Sequence, residues 1–230
     1  MISLLEAIRA RHSVRRYHPQ PLAAEAVEAL RNRISEINAQ SGLHIQLVLN
    51  EPKAFTGLLA YGKFSGVCNY LVMAGKSGKQ LDEQVGYYGE QLVLLAQQLG
   101  LNSCWAGLSY RRIAGTYTLQ PGERVACYIA LGYGLTPGVS RKSKTVQQLS
   151  NASDRTPPWF AEAVQAAALA PTAINQQKFH FEYLQPQAAG EWPRVVARRG
   201  FSLVGYTEMD LGIARLHFEI GAAPHRFEWG

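Results

Sequence analysis

The sequence predicts an α+β fold. Helical and extended patterns run helix, helix, strand, strand, helix, strand, strand, then helix, strand, strand, helix, without the regular alternation of a doubly wound sheet. No Gly-x-Gly-x-x-Gly follows a strand, and no Walker loop is present. Apolar residues make up 47% of 230, enough to fill one large domain or two small ones.

Ser3 and Glu6 form a capping-box pattern around Leu4, Leu5, Ala7 and Ile8, so the chain opens with a short helix over 2–10. The polar run Arg11-His12-Ser13-Val14-Arg15-Arg16-Tyr17 follows, and His18 is extended because it precedes Pro19. Pro21 opens a second helix with Val27, Leu30, Ile34 and Ile37 at helical spacing, and Gly42 ends it. Ile45, Leu47 and Leu49 alternate as a strand, 50–65 is turn-rich, and 69–74 reads as a buried strand. The longest helix spans 81–99, with Val85, Leu92, Leu95 and Leu99 on one side. It contains Gly86 and Gly89, each costing about 1 kcal/mol against alanine. Either a bulky group or a tightly packed helix comes close there.

Residues 100–107 turn into a short strand, and Val125, Cys127, Ile129 and Leu131 alternate in the next. Residues 135–153 read as a connector. Beyond it, Phe160, Val164, Ala167 and Ala168 mark a helix that stops before Pro171. Phe179, Phe181 and Tyr183 mark a strand, and Val195 and Val196 another. Residues 210–221 form the last helix, with Asp210 as its N-cap. The chain divides into 1–150 and 151–230, which together form one compact unit. Sequence identity between the halves is too loose to claim a repeat.

Lys and Arg outnumber Asp and Glu by 23 to 17, which suits nucleic acid, an acidic membrane or a phosphorylated ligand. Charged residues are only 17% of the chain, so there is no basic tail. The basic residues gather at Arg9 to Arg16, Arg141 to Lys144 and Arg194 to Arg199, each reading either as a solvated face or as a ligand site. No nucleic-acid recognition motif accompanies them. Three scattered cysteines, Cys68, Cys104 and Cys127, suggest neither a disulfide framework nor a metal knuckle. Glu6, Arg9 and Arg11 interrupt any early apolar run, so no signal peptide is expected. No apolar run reaches the ~20 residues of a membrane span. The expected setting is a reducing cytoplasm.

Two stretches carry chemistry. In the first, Arg11, His12, Ser13 and Arg15 offer charge-assisted donors to a phosphate. An extended backbone places Arg11, Ser13 and Arg15 on one side. Cations favouring a helix C-terminus explain the same residues equally well. The second stretch is Ala170-Pro171-Thr172-Ala173-Ile174-Asn175-Gln176-Gln177. Elsewhere, Ser13 and Ser103 lack a nucleophile elbow, and His217 has no ligand-spaced partner. Trp105 and Trp159 read as core. Asp210 and Glu219 read as cap and surface. Tyr61, Tyr87 and Tyr88 are candidates to line a pocket above a planar ring.

Arg-His-Ser-x-Arg-x-Tyr after a short helix resembles the opening signature of the FMN-dependent nitroreductase family. In that family the residues matching Arg11, His12, Ser13 and Arg15 contact the FMN phosphate, ribityl chain and ring edge. The Ala170 to Gln177 stretch resembles the family's Ala-Pro-Ser-x-x-Asn-x-Gln-Pro segment, which reaches the flavin from the partner subunit. Its matches are Pro171, Thr172, Ala173 and Asn175. Ser103, Cys104 and Trp105 lie in a segment resembling the one beside the flavin ring. Arg141, Lys142 and Lys144 resemble the basic phosphate ligands after the closing strand.

One departure is informative: the Ala-Pro-Ser-like segment lies about 160 residues after the first motif, instead of a few dozen. That order resembles a subgroup of nitroreductases in which one chain mimics the family dimer. The second half, including 210–214, would then supply the partner-like wall. The resemblance implies two similar α+β halves and a monomer rather than an obligate homodimer. It implies FMN, NADH or NADPH as donor, and hydride transfer through flavin N5 to a small nitro or quinone acceptor. No side-chain nucleophile is required, so no catalytic residue is nominated. A non-catalytic flavin-binding protein, or a flavin-consuming or dehalogenating relative, is the alternative. Neither nucleic acid nor a membrane is expected as a partner.

Overall fold

A computed structural model describes residues 1–57, 63–188 and 190–230. Helix α1 (Leu4–Ala10) opens as the sequence predicts. The Ser3 hydroxyl accepts from the Glu6 N–H at 3.2 Å, and the Glu6 carboxylate accepts from the Ser3 N–H at 2.8 Å. Helix α2 (Ala24–Ser41) ends at Gly42, whose φ of 71° suits a residue without Cβ.

Strands β1 (Gln46–Val48), β2 (Asn69–Lys76), β3 (Asn102–Ala106) and β4 (Glu123–Gly132) form an antiparallel sheet in the order β1-β2-β4-β3. Helix α3 (Leu81–Gln98) joins β2 to β3. Both faces of the sheet are covered. Leu71, Met73, Cys127, Ile129 and Leu131 pack under α2 and α3, while Tyr70, Val72 and Tyr128 form a second layer with Val14, Tyr17 and Phe55. Strand β2 is therefore buried at every position but Lys76 and reads as a continuous apolar run.

A second core follows. Helices α4 (Val146–Leu149) and α5 (Pro158–Ala167) precede the strands β5 (Phe179–Leu184), β6 (Arg194–Arg199) and β7 (Glu228–Trp229). Their order is β5-β6-β7, antiparallel then parallel. Phe160, Phe181 and Phe218 are its fully buried centre. Helix α6 (Thr207–Ala222) joins β6 to β7 and packs against α3, so the two long helices tie the cores together.

Three elements differ from the sequence reading. Helix α6 starts at Thr207, not at 210; Tyr206 precedes it in the left-handed region at φ 60°. Asp210 is therefore inside the first turn and not a cap. Helix α4 lies within the expected connector, held by a Thr145/Gln148 capping box and only four residues long, too short to show a period. Its Leu149 is buried in the second core. Strand β7 has two residues, fewer than any alternation requires.

The two helix glycines have separate reasons. A Cβ on Gly86 would collide with the Met209 carbonyl oxygen of α6, and one on Gly212 would collide with the Glu83 carbonyl oxygen of α3. At Gly89 a Cβ would meet the Trp105 indole at 2.6 Å. Tight helix packing explains the first, and a bulky ring the second. Among the described residues, no helix is long and apolar enough to cross a membrane.

Candidate functional site

The basic run Arg11 to Tyr17 is extended, because β3 gives it a partner. Val14 N–H donates to the Ser103 carbonyl at 3.0 Å, in a parallel bridge between Ser13 and Ser103. His18 N–H donates to the Tyr133 carbonyl at 2.8 Å. Val14 and Tyr17 enter the core, and the Tyr17 hydroxyl donates to the Val14 carbonyl at 2.6 Å. With those two side chains inward, Ser13 and Arg15 turn to a cavity of about 420 Å³.

The cavity lies where the two cores meet. Ser13, Arg15, Trp105, Gly107 and Arg141 come from the chain before α4, and Pro171 to Asn175, Tyr206 and Asp210 from the chain after it. Volumes of ~300–1,000 Å³ are usual for cofactor sites. Gly107 has no Cβ because the Tyr206 ring occupies that place.

The wall from Thr172 to Gln177 is heavily tied. Ile174, Asn175 and Gln177 all have positive φ, at 47°, 58° and 45°, each costing on the order of 1–3 kcal/mol. Several bonds offset that strain. Gln177 N–H donates to Thr172 Oγ1 at 3.1 Å. Asn175 Nδ2 and Gln177 Nε2 donate to the Lys142 carbonyl at 2.9 and 3.1 Å. Lys144 Nζ donates to the Gln177 carbonyl at 2.6 Å. Asp210 accepts from Ala173 N–H at 3.0 Å and from Gln176 Nε2 at 2.7 Å. Its pKa is pushed up to about 6, by burial foremost, against those two hydrogen bonds and the Arg141 charge.

Arg11 takes another path. It is 3% exposed, with Nε 3.6 Å from Glu90 Oε1. Glu90 is fully buried; it accepts from Trp105 Nε1 at 2.9 Å and meets His217 Nε2 at 2.9 Å. Arg11 Nε is buried without a hydrogen-bond partner. Arg11 and His12 line a small cavity together with Ser140, Arg141 and Asn175. Burial, then the neighbouring cations, lowers the pKa of His12. Burial, then Arg11, lowers that of Arg141. Cations held this close repel one another, and an anion between them relieves the repulsion.

Of the residues nominated from sequence, Ser13, Arg15, Trp105, Arg141, Pro171, Thr172, Ala173 and Asn175 line the main cavity, and Arg11 and His12 line its small neighbour. Four lie elsewhere. Ser103 and Cys104 are buried in β3 beneath the basic run, and burial raises the Cys104 pKa. Lys142 and Lys144 brace the 172–177 wall. Tyr61 lies outside the described residues, and Tyr87 and Tyr88 line a separate pocket. Glu219 is no free surface acid: it accepts from Tyr87 Oη at 2.5 Å and Trp229 Nε1 at 2.7 Å. Trp159 is core, as expected. Tyr206 and Ser140 were not foreseen; no pattern in the sequence sets either apart.

A profile of the family described as "Putative TM nitroreductase" matches residues 3–222. The chain belongs to that nitroreductase family. Its fold is similar to that of a "putative nitroreductase" from Thermotoga maritima, at 21% identity over 96% of this chain and 83% of that one, with a TM-score of 0.64. It is also similar to a "putative nitroreductase in complex with FMN" from Desulfovibrio desulfuricans, at 20% identity, 68% of this chain, 99% of that one and a TM-score of 0.51. A "Putative NADH dehydrogenase/NAD(P)H nitroreductase" from Bacteroides thetaiotaomicron gives 18%, 65%, 96% and 0.50. No curated protein matches. The nitroreductase fold is thus an α+β fold here, as the sequence predicts.

Proposed function

We infer that this nitroreductase-family chain is an FMN-dependent NAD(P)H oxidoreductase acting on a small nitro or quinone acceptor. One observation carries the reading. Ser13, Arg15 and Arg141 share a single cavity with Pro171, Thr172, Ala173 and Asn175. The Desulfovibrio relative, solved with FMN, supports it.

The residues present fit such a group. Arg11 Nε is buried and lacks a partner, and Arg141 joins its small cavity to the main one. Arg11, Arg15 and Arg141 would hold the phosphate. Pro171, Met209, Ile213 and the Trp105 ring give the main cavity an apolar wall for a planar group. When bound, the flavin supplies hydride transfer from NADH or NADPH to the acceptor. The chain's own part is to bind, orient and exclude water, with Asp210 fixing the 172–177 wall.

The order of parts favours a pseudo-dimer working as a cytoplasmic monomer. The Bacteroides and Desulfovibrio chains are covered almost whole by about two thirds of this one, which leaves the remaining third to act as partner. Purified protein should bind FMN and oxidise NADH or NADPH steadily when given a nitroaromatic acceptor. Replacing Arg15 and Arg141 by alanine should weaken FMN about 100-fold or more, from two lost charge-assisted contacts of roughly 1.5–3 kcal/mol each. Riboflavin, lacking the phosphate, should weaken only a few-fold. A protein that binds no flavin sinks the reading; flavin binding without steady turnover leaves a non-catalytic flavin carrier.

A further inference from the structure

The two long helices cross with a reciprocity that neither half shows alone. Gly86 of α3 abuts the backbone of Met209 and Ile213, and Gly212 of α6 abuts that of Glu83 and Tyr87. Gly86 and Gly212 lie 126 positions apart (212 − 86). Glu83 and Met209 share that offset (209 − 83), and so do Tyr87 and Ile213 (213 − 87). Residue i meets j, and the counterpart of i meets the counterpart of j, which is the signature of a two-fold contact. Both helices start in that register, at Leu81 and Thr207 (207 − 81 = 126).

The rest of the chain follows. Each half opens with a short capping-box helix, Ser3/Glu6 in α1 and Thr145/Gln148 in α4. A longer helix comes next, carrying the same tetrapeptide Ala-Glu-Ala-Val at 24–27 and 161–164. Then come two antiparallel strands, the long helix, and a strand (β3 or β7). β2 and β3 run in the same direction on either side of β4, and β6 and β7 are parallel neighbours. Only β4 has no counterpart among the described residues.

A two-fold that makes one site makes a second. The main cavity takes Tyr206, Met209, Asp210 and Ile213 from the first turns of α6. Their counterparts, 126 positions earlier, are Gln80, Glu83, Gln84 and Tyr87. All four line one pocket, of about 480 Å³, with Tyr88, Arg215 and Glu219. That pocket is the pseudo-symmetric mate of the cavity.

Its chemistry is reversed. The cavity is lined by two guanidiniums, Arg15 and Arg141, against one carboxylate, Asp210. The mate is lined by two carboxylates, Glu83 and Glu219, against one guanidinium, Arg215. Its Arg215 is already engaged with Glu83 and lies 4.5 Å over the Trp229 ring. Position 89, which holds Gly and admits the Trp105 indole beside the cavity, corresponds to Arg215 in the mate. A guanidinium ion pair thus takes the place of an aromatic wall. A phosphate dianion entering there would meet a net negative lining.

We propose that the mate pocket at Gln80, Glu83, Gln84 and Tyr87 is closed to flavin by this reversal of charge, so that the pseudo-dimer read above holds flavin in the main cavity alone. This rests on the flavin reading above. The test is a titration of the full chain with FMN, followed by flavin fluorescence, with the end point expressed per chain. One equivalent is expected. Arg15→Glu/Arg141→Glu should lose binding altogether, and Gln84→Trp, which blocks the mate, should keep one equivalent at unchanged affinity. Two equivalents for the wild type overturn the proposal, as does a full equivalent retained by the double variant or lost in Gln84→Trp. A wild type that binds no FMN fails the flavin reading itself, and the proposal falls with it.

Discussion

The carboxylate of Asp210 accepts the backbone N–H of Ala173 at 3.0 Å, so the first turn of α6 holds the wall that Pro171 to Asn175 presents to the cavity. Its other oxygen accepts from Gln176 at 2.7 Å. Asp210→Ala leaves the Ala173 N–H without an acceptor, at a cost of roughly 1–3 kcal/mol when buried, and leaves Gln176 Nε2 with the Gly205 carbonyl at 3.0 Å alone. The strained turn at Ile174 and Asn175 is then left to its ties with Thr172, Lys142 and Lys144. We expect a lower melting temperature and flavin affinity reduced about tenfold or more. Asp210→Asn keeps the shape and one acceptor, so its losses should be smaller. Thermal melts and flavin titrations that match wild type for Asp210→Ala would show that the wall stands without it.

The same carboxyl makes a prediction about pH. Its folded pKa of about 6 lies above the ordinary value of 3.8. A raised carboxylate pKa means that the folded state binds the proton more tightly. The stabilisation is present in full below about pH 4 and is lost as pH rises towards 6. A bound phosphate favours the protonated carboxyl further, and His12, when protonated, attracts the phosphate directly, so its help also fades as pH rises. FMN should therefore bind more weakly as pH rises through 6. Asp210→Asn, which cannot ionise, should flatten the part of that profile due to Asp210. Identical profiles for the two proteins would assign the dependence to His12 or to the phosphate.

Asp210 also marks how far the sequence could be read. Amphipathic helices with strong end signals were legible, because Ser3, Glu6 and Gly42 act locally. The alternating strands were legible for the same reason. The pairing of Arg15 with Pro171 and Asn175 in one cavity was legible only as a resemblance, since nothing local links them. Asp210 was misread because an acid at the head of a helical pattern looks like a cap. Only the tertiary demand of Ala173 and Gln176 places it one turn inside. The counter-ion of Arg11 was illegible for a similar reason: Glu90 sits 79 residues away (90 − 11), and no spacing rule joins them. The internal two-fold was legible only as a resemblance, because Gly86 and Gly212 are matched by backbone contact while their flanking side chains have diverged.

The reciprocal glycines predict a stability effect. An added Cβ at Gly86 or Gly212 meets helix backbone, which cannot rotate away. Overpacking typically costs ~1–3 kcal/mol and more where backbone must move. Gly86→Ala and Gly212→Ala should each lower the unfolding free energy by about that amount. Gly78→Ala, which faces open space, should stay within about 0.5 kcal/mol of wild type. Denaturant melts of the three variants decide it; helix crossings that tolerate alanine would mean that α3 and α6 can separate freely.

The buried ion pair beneath the site gives the last prediction. Arg11, 3% exposed, and Glu90, fully buried, are joined at 3.6 Å. Glu90 also takes the Trp105 indole N–H. His217 Nδ1 faces the Ala166 carbonyl at 3.2 Å and must carry a proton there, because a carbonyl can only accept. Its Nε2 lies 2.9 Å from Glu90 Oε1. Removing the acid should be severe: Glu90→Leu strands the Arg11 charge in the interior, at about 3–5 kcal/mol. Removing both charges should hurt less. Arg11→Met/Glu90→Leu is expected to be more stable than Glu90→Leu alone, while binding FMN more weakly because a phosphate-facing cation is gone. The two readouts separate the roles. If the double variant merely sums the single losses, the residues are not coupled. If it regains stability and also retains full FMN affinity, Arg11 serves the fold alone, and the phosphate is left to Arg15 and Arg141.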